Sequence, residues 1–236
     1  MLLDMQLTLK EKIWHTNEIY TLKFEKPKDL NFKPGQYLNL TVKINGNPEK
    51  RAYSISSSPS EEFLMFTIKR EDYLEEPEKR AKSVSTGLSK LEPGDKINAR
   101  GPFGIFILEE NQNLVFIAGG TGITPFRCMS KYILDNKIKA NITLFYSARA
   151  EKDFLFYEEF NKLKNDNLKF IPTATRDENF KGNKGRIDEN LLKNNIKNFN
   201  ENTYYICGPR LFVESVESIL LKSNVEKKKI KVDKWG

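Results

Sequence analysis

The sequence predicts a two-domain chain: an antiparallel β-barrel over residues 1–108, followed by a doubly wound α/β parallel sheet over residues 109–236. Three observations carry this. Apolar and polar residues alternate in the first part. Continuous apolar runs separated by helical patterns fill the second. The rhythm changes after Gly101-Pro102-Phe103-Gly104.

In the first part Leu38, Leu40 and Val42 alternate with polar residues, as do Leu64, Phe66 and Ile68, and a period of two marks strands with one buried face. Turn signals separate them at Lys33-Pro34-Gly35, Asn45-Gly46-Asn47-Pro48 and Glu92-Pro93-Gly94-Asp95. Short strands at this spacing suit an antiparallel barrel. One short helix is expected within residues 85–91, and the domain boundary near residues 107–113. Beyond it, Leu114-Val115-Phe116-Ile117-Ala118 is apolar without a break, as expected of a parallel strand covered on both faces. Similar runs lie at residues 142–146, 170–173 and 204–207. Between them Phe156, Phe160 and Leu163 recur at i, i+4 and i+7, as do Phe212, Val216 and Ile219. These stripes read as core-packing helices. Strand alternating with helix gives the doubly wound sheet.

Directly after the first apolar run comes Gly119-Gly120-Thr121-Gly122-Ile123-Thr124-Pro125, opening into a helical pattern through Phe126, Met129 and Ile133. Glycines at such a turn let the backbone approach a pyrophosphate. The helix start offers free N–H groups and the positive end of a dipole. Proline fits the first helical turn, where its missing N–H has no intrahelical partner. On spacing alone a purely structural turn stays open. Pro125 stands where the common dinucleotide fingerprint has its third glycine. Arg149 follows the next strand, where an acid would bind the ribose 2′-hydroxyl of NAD, and an arginine better suits a 2′-phosphate. Arg176 and Arg186 lie later in the same half; singly each reads as a surface arginine, and together the three lean toward NADP.

Composition limits the chemistry. Hydrophobic residues make up 39% and charged residues 30%, ordinary values for a globular protein. No run reaches the ~18 consecutive apolar residues of a membrane helix. The opening residues mix Asp4, Gln6 and Lys10 among leucines, unlike a signal peptide, so a cytoplasmic location is expected. Cys128 and Cys207 are too few for a disulfide framework or for a cluster held by four thiolates. A single histidine, His15, argues against a His-rich metal site and a Ser/His/Asp hydrolase. No metal is expected, and any redox chemistry must come from a bound organic cofactor. The net charge is +7, part of it in Lys227, Lys228, Lys229, Lys231 and Lys234. That run reads as a solvated face or as a surface for an acidic protein partner. Aromatic-plus-basic RNA-binding motifs are absent, so nucleic acid is not expected.

Four ordered segments together resemble the ferredoxin–NADP reductase superfamily: Arg51-Ala52-Tyr53-Ser54, Gly101-Pro102-Phe103-Gly104, Gly119 to Pro125, and Cys207-Gly208-Pro209. The likeness covers nearly the whole chain. It implies that Arg51 pairs with a flavin phosphate, where a guanidinium forms bidentate bonds. It implies that Tyr53 lies against the isoalloxazine ring and that Ser54 sets its hydroxyl near flavin N5. Ile68, Lys69 and Val84 are implied flavin contacts. The stretch Ala81-Lys82-Ser83-Val84-Ser85-Thr86 matches the family's second flavin contact, with Ser85 and Thr86 at a helix start facing the FAD pyrophosphate. Ala81 and Lys82 replace the usual glycines there; FAD is implied ahead of FMN. Thr121 and Thr124 match contacts to nicotinamide cofactor and flavin respectively. Gly119, Gly120, Gly122, Pro125, Gly208 and Pro209 join them as dinucleotide contacts. Cys207 matches the family's cysteine beside the nicotinamide ring, which makes Ser54 and Cys207 the candidate catalytic residues. The ending Val232-Asp233-Lys234-Trp235-Gly236 resembles the family's acid-x-aromatic tail, with Trp235 covering the flavin face. Asp233 stands where glutamate is usual and is given no role.

The resemblance implies an oxidoreductase that passes electrons between NADPH and a separate protein acceptor, such as ferredoxin or flavodoxin, by hydride transfer at flavin N5. An NADH-dependent reductase component of a multi-subunit oxygenase is the alternative within this class. A non-catalytic flavin- or dinucleotide-binding regulatory protein is the alternative outside it.

Overall fold

The computed structural model describes residues 2–71, 83–109, 111–164 and 167–235. The chain divides into two compact units, Met1–Leu108 with Arg127–Tyr132, and Glu109–Phe126 with Ile133–Gly236.

The first unit is a curled antiparallel sheet of six strands: β1 (Leu3–Trp14), β2 (Ile19–Glu25), β3 (Tyr37–Ile44), β4 (Asn47–Ser54), β5 (Phe63–Lys69) and β6 (Lys96–Phe103), in the order β4-β3-β6-β1-β2-β5. β1 causes the curl. Its first half pairs with β6 and its second with β2, and the register shifts between Leu9 and Glu11. Such a bulge bends the strand and increases its twist, which wraps the sheet around Leu7, Leu9, Tyr20, Leu22, Leu40 and Phe66. Asn45 and Gly46 both have positive φ, 51° and 82°, and form a two-residue hairpin turn. Asn47 and Pro48, expected to complete that turn, instead begin β4. Proline is tolerated there because β4 is an edge strand. β5 departs from simple alternation, since Met65 and Thr67 are buried along with Leu64, Phe66 and Ile68. Thr67 satisfies its hydroxyl against that of Thr21 at 2.8 Å. The expected short helix is α1 (Val84–Ser89).

The second unit carries β7 (Asn113–Gly119), both ends of α2 (Ile123–Asp135), whose middle, Arg127–Tyr132, groups with the first unit, β8 (Asn141–Ala148), α3 (Tyr157–Leu163), β9 (Leu168–Ala174), β10 (Asn183–Lys184), α4 (Glu189–Asn195), β11 (Thr203–Pro209), α5 (Arg210–Lys222) and β12 (Ile230–Trp235). The strands are parallel, in the order β10-β9-β8-β7-β11-β12. From β7 the chain winds outward one way through β8, β9 and β10, then crosses to β11 and β12. The switch point therefore lies between β7 and β11, where such sheets bind ligands beyond their carboxyl ends.

Two helix stripes differ from the expected ones. Phe156 adopts φ 57° and stands outside α3, which begins at Tyr157. α5 buries Val213, Val216 and Leu220, one position along from the stripe read from Phe212 and Ile219. Phe212 is held elsewhere, against two glycines described below. Among the described residues no helix is long and apolar enough to cross a membrane.

Candidate cofactor-binding site

Arg51, Tyr53 and Ser54 occupy the last turns of the edge strand β4, in register with Leu40, Leu38 and Tyr37. Tyr53 packs on the first core. Its hydroxyl is buried and has no hydrogen-bond partner among the described residues. Burial, opposed by nearby Arg51, pushes the phenol's pKa well up, so it stays a donor. A buried hydroxyl without a partner leaves a donor that a polar ligand would satisfy.

The Arg51 guanidinium bonds the Glu71 carboxylate, and Ser83 Oγ donates to the same carboxylate oxygen at 3.4 Å. An anionic group is thus already held by the donors that would serve a phosphate, and a flavin phosphate fits them chemically. Ser85 lies in the first turn of α1, with its side chain engaged inside the protein. It is only 2% exposed, its Oγ accepts the Glu71 N–H at 3.0 Å and hydrogen-bonds Ser83 Oγ at 2.8 Å. Its carbonyl accepts the Tyr20 hydroxyl. The helix cap is Ser83, whose side chain accepts from the Thr86 N–H. Ile68 and Val84 send their side chains into the core and can offer a cofactor only backbone. Lys69 pairs with Glu18 at 3.1 Å. Ala81 and Lys82 lie outside the described residues.

In the second unit the loop after β7 forms one 3-10 turn, Gly120–Gly122, before α2. Its glycines permit close backbone approach. A Cβ on Gly122 would lie 2.1 Å from the Cys207 carbonyl oxygen, and one on Gly119 or Gly208 would lie 2.8 Å from the Phe212 ring. The switch-point ends of β7 and β11 are therefore welded backbone to backbone, with Phe212 filling the space that side chains would need. Thr124 donates its hydroxyl to the Thr121 carbonyl and locks the turn. Pro125 sits in the first turn of α2.

Cys207 ends the buried part of β11, beside Asp233 of β12, and its Sγ donates to Asp233 Oδ2 at 3.9 Å. Burial first, then the adjoining carboxylate, push the thiol well above its usual range. Burial likewise raises the Asp233 carboxyl. Asp233, given no role from sequence, is the polar partner of the thiol among the described residues. Only the parallel register Cys207↔Asp233 reveals it. Trp235 pairs in register with Pro209 and is 42% exposed.

Arg149, Arg176 and Arg186 follow β8, β9 and β10, three adjacent strands. The Arg176 N–H donates to the Arg149 carbonyl at 2.8 Å, and Gly185, next to Arg186, donates to the Ala174 carbonyl at 2.9 Å. All three side chains are exposed. The tail lysines contrast with them. Lys227, Lys228, Lys231 and Lys234 pair with Glu217, Glu226, Glu109 and Glu214, and Lys229 reaches the Asn200 carbonyl. This is the solvated, internally compensated face rather than a free basic patch.

Sequence reading also missed the buried pair Arg127–Glu61 of the first unit, bidentate at 2.9 and 3.0 Å, with Arg127 donating further to the Ser56 carbonyl at 2.8 Å. Burial alone would raise the Glu61 carboxyl; hydrogen bonds from Arg127 and from the Ser58 N–H bring it below its usual value. Nothing in the local sequence marks these two charges as buried.

Residues 4–107 match the oxidoreductase FAD-binding domain and residues 116–218 the oxidoreductase NAD-binding domain. The chain is 35% identical over 217 residues to the sulfhydrogenase 1 subunit gamma of Pyrococcus furiosus, covering 87% of this chain and 70% of the relative. It is 31% identical over 198 residues to the glycine betaine monooxygenase reductase subunit of Pseudomonas aeruginosa, covering 80% of this chain and about half, 52%, of that one. The fold matches the flavohem-like FAD/NAD binding domain of nitric oxide dioxygenase from Vibrio cholerae, with TM-score 0.86, 24% identity and 98% of both chains covered. It also matches a ferredoxin NADP+ reductase from Neisseria gonorrhoeae, with TM-score 0.83, 21% identity and 98% of both chains covered. With an FAD-binding domain in the antiparallel unit and an NAD-binding domain in the parallel one, the chain belongs to the ferredoxin–NADP reductase superfamily of flavoprotein reductases.

Proposed function

We propose that the chain passes electrons between NADPH and a separate acceptor protein such as ferredoxin or flavodoxin. One observation carries the choice of NADPH: three exposed arginines without a side-chain partner among the described residues follow the carboxyl ends of the adjacent strands β8, β9 and β10. Guanidinium groups left uncompensated at a ligand-binding sheet edge suit a 2′-phosphate, the only feature separating NADPH from NADH.

FAD, when bound, supplies the hydride acceptor and the ability to release electrons singly or in pairs. The chain's own residues bind and orient. Arg51 and Ser83 offer donors to a phosphate. The Tyr53 ring supplies stacking area, and its free hydroxyl a polar handle. Ser54 presents a hydroxyl at the end of β4. The turn at residues 119–122 lets a pyrophosphate approach backbone N–H groups at the start of α2. Cys207, kept as a neutral thiol by burial and Asp233, offers a small uncharged surface to a nicotinamide ring. Transfer of a hydride needs no acid–base pair from these residues.

A separate acceptor is supported by the names of the relatives, both of which are subunits. The monooxygenase reductase subunit favours a second reading, an NADH-using reductase component of an oxygenase. Steady-state kcat/KM with NADPH and NADH, measured with ferredoxin, flavodoxin and an artificial acceptor, tests the proposal. Higher efficiency with NADH would move the chain to the second reading, and reduction by neither cofactor would leave the regulatory alternative.

A further inference from the structure

We propose that the open edge of β9, in the second unit, takes up an extended acidic segment of a partner protein as an added strand. β9 runs from Leu168 to Ala174, but β10 pairs with it only at Thr173 and Ala174. Among the described residues the earlier part of β9 has β8 as its one strand neighbour. The Ile142 N–H donates to the Asn167 carbonyl on the β8 side, and the Gly185 N–H to the Ala174 carbonyl on the other. Alternation along the strand then turns the N–H and C=O of Phe170 toward the open side. Pro172 has no N–H to offer there, and its carbonyl accepts from Asn183 Nδ2 at 3.1 Å. Main-chain pairing with an added strand therefore centres on Phe170.

A groove of about 360 Å³ opens beside this edge. Tyr157, Phe170 and Phe180 give it aromatic walls, with the rings of Tyr157 and Phe170 meeting edge-on at 5.9 Å. Asn161, Asn183 and Asn195 add side-chain amides. Asn195 Nδ2 donates to the Leu191 carbonyl at 2.8 Å, which leaves its amide oxygen to accept. A lining that both donates and accepts suits a peptide backbone, whereas a small inorganic anion accepts only.

Charge names the occupant. Lys164 and Lys181 line the groove, and Lys162 and Lys169 stand exposed on α3 and β9. Lys164 Nζ lies over the Phe170 ring, 5.9 Å from its centroid. None of these four has a carboxylate partner among the described residues, unlike the paired lysines of the tail. Among the described residues Glu151 is the one carboxylate in the lining. Lysines on an edge deter a second copy of the same edge, because like charges would face each other. The same lysines favour an acidic strand, whose main chain would supply affinity and whose carboxylates would supply specificity.

Fluorescence anisotropy on the full chain tests this with labelled peptides of about eight residues, the length of an ordinary strand. One alternates Val with Glu, one alternates Val with Lys, and a third is the Val-Glu peptide with N-methylated backbone. The Val-Glu peptide is expected to bind and the Val-Lys peptide to be refused. N-methylation should weaken binding about fivefold to a hundredfold, the loss of two main-chain bonds. Lys164→Glu combined with Lys181→Glu should weaken the Val-Glu peptide about tenfold or more. No binding of that peptide, equal binding after N-methylation, or an unchanged affinity in the double variant overturns the added strand. Displacement by inorganic phosphate at matched ionic strength would make the groove a small-anion pocket, and a parent dimer that the peptide dissociates would give the edge to a second copy. Either result overturns the proposal as well.

Discussion

The carboxylate of Glu71 is hydrogen-bonded to the guanidinium of Arg51, on the open edge strand of the first unit. A carboxylate and a phosphate compete for that guanidinium. Glu71→Gln is therefore expected to tighten FAD and FMN about twofold to fivefold, the scale of a partly exposed ion pair worth ~0.2–1 kcal/mol. Riboflavin, which has no phosphate, should bind as before. Arg51→Ala should loosen both phosphorylated flavins. Fluorescence titration reads all of these, and weaker FAD binding by Glu71→Gln would instead make Glu71 the residue that aims Arg51.

Arg176 and Arg186 follow β9 and β10 with exposed side chains that have no partner among the described residues. Arg176→Ala and Arg186→Ala should each lower kcat/KM for NADPH by on the order of tenfold, since a bond to a charged group contributes ~1.5–3 kcal/mol. NADH efficiency should hardly move. Equal losses with both cofactors would assign these arginines to the fold or to the shared pyrophosphate.

Two glycines of the switch-point joint differ in what surrounds them. A Cβ on Gly122 meets backbone, the Cys207 carbonyl oxygen at 2.1 Å, whereas one on Gly119 meets the ring of Phe212 at 2.8 Å. Backbone cannot rotate away and a ring can. Gly122→Ala is expected to cost about 1–3 kcal/mol or more of stability, as overpacking does, and Gly119→Ala less. Thermal unfolding of the two apo-proteins ranks them; matching midpoints would show that β11 gives way as easily as the ring.

Cys207 is held protonated by burial and by Asp233. Removing the negative charge in Asp233→Asn lowers the thiol pKa and raises the thiolate fraction at any pH below it. Alkylation of Cys207 by iodoacetamide at pH 8 should speed up about tenfold for each pKa unit recovered. Cys128, buried and likewise pushed up by burial, to about 12, serves as the internal reference in the same peptide map. An unchanged ratio of the two labelling rates would mean that burial alone protects Cys207.

Features carried by local pattern were legible in the sequence. The apolar run at 114–118 and the glycine loop after it are β7 and the turn into α2, because buried parallel strands and tight strand-to-helix turns impose their composition on consecutive residues. What depended on distant partners was not. The Cys207–Asp233 contact joins positions 26 apart through strand register, and Phe212 left its expected stripe because two glycines made room for it. The capping role of Ser83 at α1 escaped notice because one hydroxyl residue inside a run of them carries no periodic signal. Burial of Met65 and Thr67 escaped notice for a related reason, as a curled sheet can cover both faces of a strand that alternates in sequence.

Among the described residues β4 has no strand neighbour on one side of its backbone, and such a ladder can recruit a second molecule. The strand carries its own deterrents to this, Pro48, Glu49, Lys50 and Arg51, all exposed. Arg51 thus has a second consequence that concerns handling rather than chemistry. Replacing it strips a charge from the edge at the same time as it removes the donor proposed for a phosphate. Light scattering on Arg51→Ala, before any flavin is added, will separate lost affinity from self-association.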